Sequence, residues 1–216
     1  MKSNEVYELM KQNILSFKYK PGHKLNIREI SRETNMSDIP IREALKMLET
    51  EGFVEFEKNK GAKVKEFDLD EFDKLCKFRI EIEALATRWA VPNIGEHDIK
   101  ILNEYIMKMD YCISTNKVAE YELINSNFHQ HIYGLCNSQI LMETLSNLFA
   151  RTKYTKSFFN LFPERLKNSN EEHKEILKAL IEKDEKLAEN TIRVQKINST
   201  TDMIKKLRAE KEGNKG

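Results

Sequence analysis

The sequence predicts a mostly α-helical chain with one short pair of strands in its first third. Three observations carry this. Seven Gly and four Pro in 216 residues supply too few turns for a many-stranded sheet. Apolar residues recur at three- and four-residue steps over most of the length, and a single strand, loop, strand pattern stands at 53–65. At 25.4 kDa the chain has room for two compact units or one large one.

Val6, Leu9, Met10, Ile14 and Phe17 place a first helix, ended by the Pro21-Gly22 turn. Asn26 can cap a short helix through Thr34 that carries Ile27 and Ile30, and Asn35-Met36-Ser37 forms a turn whose serine can cap the next one. That next helix, 38 to about 51, has Pro40 in its first turn and Gly52 just past its end, the usual asymmetry of helix ends. Phe53-Val54-Glu55-Phe56-Glu57 and Ala62-Lys63-Val64-Lys65 then flank Lys58-Asn59-Lys60-Gly61 at hairpin length. A helix-turn-helix followed by a two-stranded hairpin is a winged arrangement, and residues 1–66 suffice for one small domain.

From Asp68 onward the pattern is helical throughout. Asp68 with Glu71 makes a capping-box-like start, and Pro92 closes that helix. Further helices are expected near 96–114, 118–135, 139–160, 165–183 and 185–210, separated by Gly95, Asn116, Asn137-Ser138, Pro163 and Lys183-Asp184. Six helices with short connections make an all-α antiparallel bundle over 67–210, and the charged, glycine-ended tail at 211–216 is expected to fray.

Composition excludes several classes. One third of the residues are charged, 40% are hydrophobic and the mean hydropathy is −0.62, which suits a globular chain and not a disordered one. No apolar run approaches the ~20 residues that span a bilayer, and the first residues lack a signal peptide's apolar segment, so a cytoplasmic location without membrane contact is expected. Cys76, Cys112 and Cys136 are scattered and suggest buried thiols, neither a disulfide framework nor a zinc ribbon. The sequence holds no P-loop, GxGxxG or GxSxG. A net charge of +1 gives no global sign of nucleic acid, so any basic surface must be local.

The most specific signal is Ser37-Asp38-Ile39-Pro40-Ile41-Arg42-Glu43-Ala44-Leu45 with Leu48 and Gly52-Phe53-Val54, between Pro21-Gly22-His23-Lys24-Leu25 and Gly61. These residues closely resemble the winged helix-turn-helix of the GntR family of bacterial transcription regulators, over roughly residues 5–66. Ile41, Ala44, Leu45 and Leu48 form an inward stripe, which leaves the N-terminal end of their helix free to enter a major groove. Arg42 then faces outward, where a guanidinium can fork onto guanine O6 and N7 or clamp a phosphate. The resemblance implies DNA contacts from Ser37, Asp38, Pro40 and Arg42, from Arg28 in the preceding helix, and from the wing residues Lys58, Asn59, Lys60 and Gly61. Asp38 departs from the arginine common there; it can accept a bond from cytosine N4 or cap the helix, but cannot read guanine.

In the first bundle helix Leu75, Arg79, Ile82 and Ala86 share a face, which puts Arg79 inside an apolar stripe, where it must find an anion. Two partners are open: Glu83, one turn on, or a carboxylate-bearing small molecule. Residues 68–210 resemble the FCD domain, the effector-binding module of FadR-like GntR members. The resemblance rests on Arg79 and Glu83, Asn125-Ser126-Asn127-Phe128-His129, Asn137, Glu172-His173 with Ala179, Asp184 and Ala188. It implies a pocket lined by Arg79, Asn125, His129, His173 and Gln195. Many members hold a divalent metal through an Asp and a His four apart and two histidines 22 apart; the spacing is kept here by Asn125 and His129, and by His173 and Gln195. His129 and His173 would thus hold Zn or Ni with two neutral amides at the other positions, a weakened site. Periodicity alone selects His131 as the buried histidine of its helix, and the resemblance selects His129.

The reading that follows is a homodimeric DNA-binding regulator, expected to repress from a pseudo-palindromic double-stranded operator until a small organic acid binds the helical domain. A metal-sensing regulator and a metal-dependent hydrolase are the alternatives, the latter with only two strong ligands.

Overall fold

A computed structural model describes residues 2–15, 18–57, 61–66, 68–152, 159 and 162–212. The expected positions Phe17, Lys58, Asn59 and Lys60 and the end of the tail lie outside these. The chain divides into two compact units, residues 1–68 and 69–216.

The first unit contains α1 (Lys2–Leu15), β1 (Lys24–Leu25), α2 (Ile27–Thr34), α3 (Asp38–Thr50), β2 (Val54–Glu57) and β3 (Gly61–Val64). Its core is the set of inward apolar faces: Val6, Met10 and Ile14 of α1 meet Ile41, Ala44, Leu45 and Leu48 of α3, all at most 1% exposed. Asn26 caps α2 by accepting from the Arg28 N–H at 2.9 Å. Ser37 stands at the N-cap of α3, yet its hydroxyl makes no capping bond, contrary to expectation. The C-terminal end of α3 is closed by Gly52 at φ +70°: Phe53 N–H donates to Leu48 O and Gly52 N–H to Glu49 O, both at 2.8 Å. This left-handed closure is why glycine stands there.

The expected hairpin is present as β2 and β3, and β1 adds a third short strand to it. The sheet has three antiparallel strands in the order β1-β3-β2, with Lys24 opposite Lys63 and Val54 opposite Val64. A two-residue strand carries too little alternation to be read from a sequence.

The second unit is helical: α4 (Leu69–Ala90), a 3₁₀ turn (Val91–Asn93), α5 (Glu96–Ser114), α6 (Val118–Gly134), α7 (Gln139–Arg151), α8 (Arg165–Ile181) and α9 (Glu185–Glu212). α7 ends at Arg151, short of the expected 160, and α9 runs two residues past the expected 210. Asn116, Asn137 and Lys183 take left-handed backbone at the junctions, at φ +54°, +51° and +56°, where the sequence places its helix breaks. α4 is the central helix, packed on α6, α7 and α9, while α8 packs on α5 and α9. Cys76, Cys112 and Cys136 are buried thiols. No helix among the described residues is long and apolar enough to cross a membrane.

Candidate functional site

Two regions gather polar chemistry. The first is the outer face of α3. Asp38, Arg42 and Lys46, four apart, line one exposed face, with Ile39 beside them and 70% exposed although apolar. Pro40 is half-buried in the first turn and Ser37 is exposed before it. Arg28 is exposed on α2, and Gly61 opens β3 at φ +89°. The expectations for Lys58, Asn59 and Lys60 fall outside the described residues. Sequence reasoning missed Ile39 and Lys46. The signal for both was positional: each follows from placing the inward stripe on Ile41, Ala44, Leu45 and Leu48. An exposed isoleucine at the N-terminal end of such a helix suits the methyl group of thymine.

The neighbouring strand face contrasts with this. Lys63 is held by Glu57 at 2.7 Å and Glu55 at 3.2 Å, so its charge is spent within the sheet.

The second region lies inside the helical unit. Arg79 is 6% exposed; its Nη1 donates to Thr152 Oγ1 at 2.6 Å, and its Nε lies 3.4 Å from Glu83 Oε1. The internal partner anticipated one turn on is therefore present. Thr152 in turn donates to Leu148 O at 2.7 Å, which fixes its hydroxyl to accept from the arginine. On the far side of Glu83, Oε2 lies 4.0 Å from Lys196 Nζ of α9. One carboxylate is bracketed by two cations.

His129 of α6 and His173 of α8, at most 4% exposed, bring their Nε2 atoms to 3.2 Å. Burial holds both imidazoles well below the usual histidine range, and the nearby Lys196 charge lowers them further. Two neutral rings in this contact must use opposite tautomers at Nε2, one donating and one accepting. Their Nδ1 atoms consequently differ, one an acceptor and one an N–H donor. His131, which periodicity favoured, instead pairs with Asp98 at 2.9 Å and keeps 23% of its side chain exposed. The reason is that α6 packs on both α4 and α5, so its buried face spans Tyr121, Ile124, Phe128, His129, Ile132 and Tyr133, wider than one stripe.

Of the remaining expected residues, Asn125 is half-buried one turn before His129, and Gln195 is 3% exposed. Tyr133 faces the Glu83 carboxylate, and among the described residues four buried polar atoms here have no hydrogen-bond partner: His129 Nδ1, His173 Nδ1, and both Oε1 and Nε2 of Gln195. Each such atom costs about 1–3 kcal/mol, against a whole-domain stability of about 5–15 kcal/mol. Sequence reasoning missed Lys196 and Tyr133, although Lys196 falls four residues after buried Ile192 and seven before buried Met203, on the inward face.

Residues 2–64 match the gntR family of bacterial regulatory proteins and residues 74–194 match the FCD domain. The chain belongs to the GntR family. It is a DNA-binding transcriptional regulator with a winged N-terminal domain and an FCD domain, and not an enzyme. Among similar proteins, the Nta operon transcriptional regulator of Aminobacter aminovorans is 25% identical over 79% of this chain and 80% of its own length. The HTH-type transcriptional repressor RspR of Escherichia coli is 23% identical over 96% and 91%. The solved structure of E. coli McbR/YncC superposes with a TM-score of 0.66 at 22% identity, over 96% of this chain and 98% of that one.

The FCD resemblance raises a divalent metal, which the donor set tests. A 3.2 Å gap between two Nε2 atoms is close to the ~3.3 Å that two nitrogens ~2.05 Å from one tetrahedral ion would show. The rest does not fit. Asn125 and Gln195 offer neutral amides, poor ligands for Zn or Ni. No group of three His, Cys, Asp or Glu able to hold a metal exists among the described residues. The Lys196 ammonium, felt by both imidazoles, opposes a further dication. The donors present at these positions therefore do not fit a resident Zn or Ni ion.

Proposed function

We propose that this regulator is a cytoplasmic homodimeric repressor that releases a pseudo-palindromic operator when a small carboxylate metabolite binds inside its FCD domain. The observation carrying this is the cluster of four unpartnered buried polar atoms, on His129, His173 and Gln195, beside Arg79 and Lys196. A ligand that binds one arrangement of the dimer better than the other shifts operator affinity by that difference.

In this reading Arg42 reads a base, Ile39 packs on a thymine methyl, and Arg28, Lys46 and the wing residues Lys58, Asn59, Lys60 and Gly61 meet phosphates. Ser37, Asp38 and Pro40 set the entry of α3 into the groove. Arg79, Asn125, His129, His173 and Gln195 line the effector pocket. Support for the dimer comes from α4: Leu75, Phe78, Ile82, Leu85 and Trp89 recur at alternating steps of three and four, with Phe78 54% and Trp89 42% exposed. The same helix from a second copy is complementary to that seam.

Selection of random duplex DNA by the full-length protein tests the operator arm. An inverted repeat with half-sites about one helical turn apart is expected; a single asymmetric motif would overturn the dimeric reading. Native mass spectrometry of the same preparation should show twice the chain mass with a co-purified organic acid.

A further inference from the structure

The pocket's charge does not balance. Arg79 and Lys196 are cations, and among the described residues Glu83 is the single carboxylate between them. Glu172 of α8 also faces Lys196, but it is already engaged by Arg165 at 3.2 Å and by Asn198 at 3.2 Å. Lys196 Nζ stands 4.0 Å from Glu83, beyond hydrogen-bond range, on a side chain only 17% exposed. An ammonium so withdrawn from water, with its nearest carboxylate out of reach, is one negative charge short. The adjoining Gln195, 3% exposed with both amide atoms unpartnered, offers a donor and an acceptor beside it.

We propose that Lys196 selects the effector: with Arg79 it takes the carboxylate of a small organic monoanion, without a divalent metal, and the polar remainder of that molecule meets Gln195 and the two histidines. This rests on the effector-pocket reading above and adds the charge class of the ligand and the residue that imposes it. A monoanion brings the site to neutrality, a neutral molecule leaves the ammonium uncompensated, and a second ligand charge would face Glu83.

The test uses the full-length chain in EDTA. Its melting temperature is followed with acetate, lactate, pyruvate and benzoate, each beside its uncharged amide. At least one acid should raise the melting temperature while its amide does not. Lys196→Met and Lys196→Gln should lose the response with an unchanged helical circular dichroism spectrum, and Lys196→Arg should keep it. An equal response to the amide, a response kept in both neutral variants, or one that needs added zinc or nickel would overturn the role of Lys196 and leave an effector pocket standing. Silence of wild type toward all four acids, with Arg42-dependent DNA binding retained, would overturn this proposal and the carboxylate-effector reading together.

Discussion

Replacing Lys196 by methionine should make the protein more stable, although it removes a charge beside a carboxylate. Burial outweighs the attraction of Glu83 and lowers the ammonium from 10.5 to about 8. At about 1.4 kcal/mol per pH unit, that shift sets the cost of keeping the charge at neutral pH at about 3 kcal/mol. The 17% of the side chain still exposed lets solvent screen part of it. Methionine keeps the aliphatic volume, and Glu83 retains Arg79 at 3.4 Å. The variant should therefore gain roughly 1–3 kcal/mol at pH 7, or several degrees in melting temperature for a chain of this size. The sign of the pH dependence follows from the lowered value. Below about pH 8 folded and unfolded chains both carry the proton, and the penalty is complete. Between about 8 and 10.5 the folded chain loses the proton first, so wild type gains stability with pH and the gap to Lys196→Met closes. Thermal melts of both proteins from pH 6.5 to 10 measure this. A variant less stable than wild type at pH 7 would refute the reasoning and make Lys196 a structural partner of Glu83.

Three further outcomes are expected. Arg42→Ala, on an exposed side chain, should weaken operator binding by about 1–3 kcal/mol without changing the fold; unchanged affinity in a fluorescence-anisotropy titration would remove Arg42 from the reading set. Arg79→Ala leaves Glu83, 2% exposed, with Lys196 alone at 4.0 Å, so chemical denaturation should show a loss of about 3 kcal/mol; the double variant with Glu83→Ala should recover most of it, and equal losses would show that the ion pair is not the cause. Phe78→Glu with Trp89→Glu should convert the dimer to a monomer in analytical ultracentrifugation, and an unchanged dimer would place the interface elsewhere.

Much of the fold was legible because local chemistry sets it. Asn116, Asn137 and Lys183 end helices in left-handed backbone at the positions where the pattern breaks, and Gly52 closes α3 where a residue without a side chain is required. The candidate site was legible where helical spacing and family pattern agree, as at Arg79 and His173, while at His129 the family pattern alone pointed to the buried ring. It was illegible where the deciding partner is distant in sequence. Lys196 meets Glu83 across 113 positions, and a surface reading of a lysine on a charged helix is the natural one without that contact. His131 was misassigned because a helix packed on two sides has no single stripe. The near-neutral charge concealed the exposed basic side chains of α2 and α3 because acids such as Glu55 and Glu57 are matched to Lys63 inside the sheet; Arg28, Arg42 and Lys46 remain exposed.

Lys183 has a mechanical consequence. At the turn between α8 and α9 its ammonium donates to the carbonyls of Val91 and Ile94, just past the end of α4. At the other end, α4 and α9 are joined by Arg208 to Asp70 at 2.8 Å, with side chains 50% and 76% exposed. An exposed pair of that kind is worth about 0.2–1 kcal/mol and weakens with salt. The two long helices that carry Arg79, Glu83 and Lys196 are thus tied along their whole shared length, by Lys183 at one end, by Arg88 to Glu189 at 3.5 Å and Arg193 to Glu81 at 3.1 Å between, and by Arg208 at the other.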